Sequence, residues 1–267
     1  MTNSSAPVRV GIGGWSFPPW RGTFYPEGLA QKRELEFASR ALTAIEINAT
    51  YHGSQKPASF ANWAKTAPDG FVFAVKGSHY VTNRKVLAEA GESIQRFLNQ
   101  GILELGDKLG PILWQFMATK QFDAEDFAAF LRLLPEKHEG VALRHAVQVR
   151  HASFAVPEFV TMARDAHAAI VFADSTSYPA IADVTAGFVY ARLEAAEEAE
   201  PEGYAPAALD RWAQAARTWA AGGVPEGLPY VDAAPPPVEP RETFVFCING
   251  AKVRAPAAAQ ALIARLG

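Results

Sequence analysis

Eight short apolar runs cross this chain, and nearly every one ends in a polar or ionisable residue. They occupy residues 8–13, 44–48, 71–76, 112–115, 146–150, 169–174, 188–192 and 244–249. The runs are apolar almost throughout rather than alternating, which is the pattern of parallel strands buried on both faces. Segments of helical period lie between them. Ile94, Phe97, Leu98, Ile102 and Leu105 form one stripe, and Phe127, Phe130, Leu131 and Leu134 form another. Leu209, Trp212, Ala216 and Trp219 make a third, and Ala259, Leu262, Ile263 and Leu266 close the chain behind Pro256. Strand and helix alternating over 267 residues predict an α/β fold: one (β/α)8 TIM-barrel-like domain with parallel strands and outer helices. Residues 1–7 are expected to form a flexible tail, and residues 8–267 the single domain.

In such a barrel the strand C-termini share one rim, where function resides. Side chains alternate along a strand, so residues two apart share a face. Ile45 and Ile47 are expected to face the helices, which turns Glu46 and Asn48 inward. By the same parity Gln148 and Arg150 point inward, as do Tyr190, Arg192 and Glu194. Asn249 is expected to share its face with Cys247 and Val245. Lys76, Gln115 and Asp174 end their own runs and are expected to join the same inward-facing set, and Trp15 follows the first. Buried Glu and Arg are costly without partners, so this set implies either a salt-bridge plug or a ligand site. Contributions from many strands with diverse chemistry favour the site.

The cations Lys76, Arg150 and Arg192 suit a carboxylate or phosphate, and Glu46, Asp174 and Glu194 balance them. His52, His79 and His151 follow strand ends and can shuttle protons near neutral pH. Glu46, His151, Asp174 and Glu194 have ligand chemistry for a metal, but their spacing matches no compact metal motif. A Schiff base at Lys76 is possible if burial lowers its pKa. The G-I-G-G-W turn lacks the spacing of a dinucleotide fingerprint or P-loop, and no cofactor is evident.

Composition narrows the partners. The net charge of −3 gives no basic stripe for nucleic acid. The single cysteine, Cys247, falls inside an apolar run and is read as core; it permits no intramolecular disulfide. No run reaches membrane-spanning length and the N-terminus does not resemble a signal peptide, so a cytoplasmic location without membrane contact is expected. Oligomeric state is not legible. Two segments look irregular: the acidic stretch 194–203, a lid candidate on the active rim, and the Pro- and Gly-rich stretch 224–242, expected on the opposite face.

The opening G-I-G-G-W-S-F-P-P-W-R-G-T-F-Y-P resembles that of the domain of unknown function 72 family, also called YecE-like. The resemblance continues through E-I-N-A-T-Y, F-V-F-A-V-K, G-P-I-L-W-Q-F, V-R-H-A-S-F, F-A-D and Y-A-R-L, and spans nearly the whole chain. It implies a TIM-barrel-like fold and assigns no reaction. Glu46, Asn48, Lys76, Gln115, Arg150, His151, Asp174, Arg192 and Asn249 stand in family-like positions. Against the family pattern, Gln148 replaces a usual Glu and Glu194 a usual His, a swap that can preserve local charge while moving it between strands.

Together these readings predict an enzyme acting by acid–base chemistry on a small anionic or polar metabolite. Glu46, Lys76 and Asp174 are the expected catalytic groups. Trp15, Asn48, Gln115, Gln148, Arg150, His151, Arg192, Glu194 and Asn249 are the expected binding groups. A metal-dependent hydrolase or isomerase, and a non-catalytic ligand-binding protein, are the alternatives.

Overall fold

The structure is a computed structural model that describes residues 5–232 and 234–267. Residues 1–4 of the expected tail lie outside the described residues. Ala6 donates its N–H to the Ala220 carbonyl at 3.0 Å, and Pro7 accepts from Thr243 at 3.0 Å.

The eight runs form the strands β1 (Val8–Gly13), β2 (Ala44–Ile47), β3 (Val72–Lys76), β4 (Leu109–Gln115), β5 (His145–Gln148), β6 (Ala169–Ile170 with Phe172–Asp174), β7 (Phe188–Leu193) and β8 (Glu242–Cys247). All their pairings are parallel, and β1 joins β8 to β2. The two halves of β6 stand at opposite ends of the strand order. Ala169–Ile170 pairs with β5 and Phe172–Asp174 with β7, so the ring closes through this one segment. An α/β TIM-barrel-like fold results, as the sequence predicts.

Outer helices follow seven of the eight strands: α1 (Glu34–Ala41), α2 (Pro57–Thr66), α3 (Gly91–Leu98), α4 (Ala124–Leu133), α5 (Pro157–Asp165), α6 (Pro206–Ala220) and α7 (Ala255–Leu266). The strict alternation expected from sequence fails after β6. Residues 175–187 reach β7 without a helix, and Trp212 and Trp219 of α6 cover Phe172 at centroid distances of 5.6 and 5.8 Å. The stripe from Ile94 to Leu105 is also two pieces rather than one. It breaks at Gly101, whose φ of 105° lies in the left-handed region that glycine tolerates, and where a Cβ would meet Pro57.

Two apolar layers hold the barrel. Ile12, Ile45, Ile47, Val75, Val147, Leu193 and Val245 pack beneath the helices, while Ala44, Ala74, Leu113, Ala146, Val171, Tyr190, Phe244 and Phe246 fill the lumen. Large rings from β7 and β8 face small residues from β1, β2 and β3. At Gly11 an added Cβ would lie 2.0 Å from the Ala44 carbonyl oxygen. Among the described residues, no helix is long and apolar enough to cross a membrane.

The irregular segments are both tied down. Within 194–203, Glu197 donates to the Gly203 carbonyl at 2.7 Å, and Ala196 accepts from Ala251 at 2.8 Å. The stretch lies against the β8 loop through the second of these bonds. In 224–242, the N–H groups of Val231 and Asp232 donate to the Asp183 carboxylate at 2.8 and 2.9 Å.

Candidate active site at the barrel mouth

The strand C-termini open on a cleft of about 930 Å³. Its wall takes Trp15 from the loop after β1, Asn48 and Tyr51 after β2, Lys76 from β3, Gln115 from β4 and Arg150 after β5. Tyr178 follows β6, Arg192 and Glu194 come from β7 and its end, and Asn249 and Lys252 follow β8.

Beneath this wall lies a buried polar network. Arg192 donates from Nε to Oε2 of Glu46 and from Nη2 to Oε1, both at 3.2 Å. Tyr190 donates its hydroxyl to the same Oε2 at 2.7 Å. Nη1 of Arg192 turns upward, to Glu194 Oε1 at 2.7 Å and Gln148 Oε1 at 2.6 Å. Gln148 Nε2 donates to Glu194 Oε1 at 3.0 Å, and Gln115 Nε2 donates to Gln148 Oε1 at 2.6 Å. Burial raises the Tyr190 pKa strongly and Glu46 adds to it, so the phenol remains a donor.

This arrangement revises several expected roles. Glu46 is fully buried, engaged at both oxygens by Arg192 and Tyr190, and absent from the cleft wall. Gln148 is equally buried and bridges Gln115, Arg192 and Glu194 from below the wall. Asp174 pairs with Leu193 in register and so takes the outward parity of Phe172. It hydrogen-bonds Tyr204 behind the wall; burial raises its pKa, against the lowering effect of that bond. His151 caps the turn Ala152–Phe154, its Nδ1 accepting from the Ser153 N–H at 3.2 Å, and does not line the cleft. In β8 it is Phe244, Phe246 and Ile248 that face the lumen, while Val245 and Cys247 belong to the layer under the helices. Asn249 reaches the cleft because its φ of 62° turns the chain past the strand end.

Besides Arg192, the charged residues singled out from sequence that line the cleft are Lys76, Arg150 and Glu194. Glu194 Oε1 receives Gln148 and Arg192, while Oε2 makes no hydrogen bond among the described residues. The Arg150 guanidinium lies over the Tyr178 ring at 4.4 Å, with Nη2 3.8 Å from Glu194. Lys76 Nζ sits 4.3 Å from the centre of the Tyr51 ring and makes no ion pair among the described residues. Burial pushes its pKa down to about 8; Glu46 opposes this, and Arg192 and Arg150 reinforce it.

Sequence reasoning did not select Lys252 or Tyr178. Lys252 stacks over Phe17 at 4.4 Å, its carbonyl accepts from Trp20 Nε1 at 2.9 Å, and burial lowers its pKa. A lysine three residues beyond the last strand-end polar residue was the available signal. Among the described residues, no three His, Cys, Asp or Glu side chains converge as metal ligands. Glu46, His151 and Asp174 are directed respectively to Arg192, Ser153 and Tyr204.

Comparisons with known proteins agree with this architecture. The profile of the family described as "Protein of unknown function DUF72" matches residues 9–267. A DUF72 family protein from Thermotoga maritima is similar in structure, with a TM-score of 0.68 and 24% identity, covering 96% of each chain. One from Enterococcus faecalis has a TM-score of 0.70 and 16% identity, covering 97% of this chain and 95% of that one. The UPF0759 protein YunF of Bacillus subtilis is 24% identical over 158 residues. That match spans 57% of this chain and 54% of YunF, about half of each.

Proposed function

The chain belongs to the DUF72 family, and from that premise we propose that its barrel mouth is an enzyme site for proton transfer on a small anionic metabolite. The carrying observation is the Lys76 ammonium, which lines the cleft without a carboxylate partner while Arg150 lines the same cleft. Lys76, Arg150, Arg192 and Lys252 outnumber Glu46 and Glu194, so the mouth is electropositive although the whole chain carries −3. Arg150 and Lys252 hold the anion in this reading, and Asn48, Gln115 and Asn249 orient its polar groups. A lysine with a pKa near 8 takes or gives a proton readily around neutral pH, and Glu194 Oε2 is the second proton carrier. These roles replace the expectation that Glu46 and Asp174 do the acid–base work.

The test is a panel of phosphorylated and carboxylated metabolites incubated with the protein in deuterated water and followed by proton NMR. At least one should exchange a carbon-bound proton, and Lys76→Met should abolish the exchange while the protein stays folded. A panel that neither binds nor exchanges, or exchange that survives Lys76→Met, defeats the reading. Binding without exchange would instead favour a non-catalytic ligand-binding protein.

A further inference from the structure

The four cations of the mouth are not equivalent. Arg192 is neutralised by Glu46 and Glu194, and Arg150 leans on Glu194. Lys252 makes no ion pair among the described residues, but it stands on the loop after β8, against Phe17 and Trp20, and not on a strand. Lys76 ends β3 and lines the cleft, with an aromatic face as its neighbour and no ion pair among the described residues. A lysine serving only to hold the fold is expected to meet a carboxylate or, as Lys108 does, backbone carbonyls; the half-buried Lys76 Nζ has neither among the described residues, and an ammonium drawn out of water without partners is costly.

We infer that Lys76 is a nucleophile: its amine condenses with the aldehyde or ketone of a small anionic substrate to form an imine at the end of β3. The inference rests on the anionic-substrate reading above and narrows it to carbonyl compounds. Burial, with Arg150 and Arg192 nearby, holds the amine near pKa 8, so about one-tenth of it is neutral at pH 7. The neutral Nζ adds to the carbonyl carbon, forming the C–N bond, and the carbonyl oxygen takes up a proton. The carbinolamine then loses its hydroxyl as water, and the nitrogen gives up its remaining proton to leave a neutral imine. Glu194 Oε2 carries protons from nitrogen to oxygen, Arg150 holds the substrate's anionic group, and no oxidant or reductant enters.

Sodium cyanoborohydride reduces such an imine to a permanent secondary amine. The full chain is incubated with this reductant and either pyruvate or dihydroxyacetone phosphate. Intact mass counts the adducts and peptide mapping locates them. With at least one probe, a single adduct per chain is expected at Lys76. At pH 7 it should form roughly three-hundredfold faster than adducts on surface lysines, the advantage in neutral amine that a pKa near 8 has over the ordinary 10.5. Its rate should rise through about pH 8, and excess inorganic phosphate should slow it. Lys76→Arg keeps the charge and should lose the adduct. Labelling scattered over surface lysines, or none at all with either probe, overturns the inference. A parallel calorimetric titration with inorganic phosphate separates the two failures. If phosphate binds without an adduct, the anion site stands and the imine falls; if phosphate does not bind, the anion site falls as well.

Discussion

Gln148 and Glu194 touch: the amide nitrogen of one donates to Oε1 of the other at 3.0 Å, across two strands and inside the barrel. These are the positions at which the resemblance described above implies Glu and His. The two departures therefore fall on a single hydrogen-bonded contact.

Gln148→Glu alone should set a second carboxylate against Glu194 and cost on the order of 1–3 kcal/mol at neutral pH, because a donor is lost and a like charge gained. Adding Glu194→His should recover stability, with a coupling of roughly 0.5–3 kcal/mol. Urea denaturation of both singles and the double variant measures this. Additive single effects would show that the two positions are independent.

The Glu46–Arg192 pair lies in the fully buried floor. Glu46→Ala should cost about 3–5 kcal/mol, since it strands a buried guanidinium. Glu46→Ala combined with Arg192→Met should cost less than the sum of the single changes. Equal additivity by denaturant titration would contradict this role for the pair.

His145 is expected to contribute to loss of stability on the acid side. Burial lowers its pKa below the ordinary 6.5, with an opposing rise from the Pro135 carbonyl. Its Nδ1 accepts from Trp114 Nε1 at 3.1 Å, which requires the neutral ring. Below about pH 6.5 the unfolded chain therefore binds a proton that the native one refuses, and stability falls as pH drops from there to the folded-state pKa. Unfolding free energies at pH 7 and pH 5 should diverge less in His145→Gln than in the wild type. An unchanged difference would assign the acid limb to other groups.

Gly11 pairs with Ala44 of β2 in register. Gly11→Ala should cost at least about 3 kcal/mol, the upper part of the overpacking range, because its Cβ would strike the Ala44 carbonyl at 2.0 Å. Gly53→Ala, which meets nothing within 4 Å and needs no left-handed backbone, should stay within about 0.5 kcal/mol. Thermal melts of the two variants provide the comparison.

The strands were legible because burial on both faces leaves an apolar run, and each of the eight runs became a strand or a pair of half-strands in one closed ring. Parity also placed Glu46, Lys76, Gln115, Gln148, Arg192 and Glu194 toward the axis, since alternation is a property of the backbone alone. It misplaced Asp174, whose side is set by its pairing with Leu193, and the strand interior of β8, where both faces are apolar and no alternation marks the lumen.

Sequence alone therefore determined the barrel and most of the side chains that face its axis, because both follow from local period. Depth was decided only by the tertiary structure. Strand register puts Glu46 level with Gly13 and Ala74, within reach of Arg192 and Tyr190, and leaves Lys76 above them at the cleft. Charges in the floor neutralise one another out of water, while a charge a layer higher stands at the cleft without an ion pair among the described residues, and that difference depends on neighbours far apart in the chain.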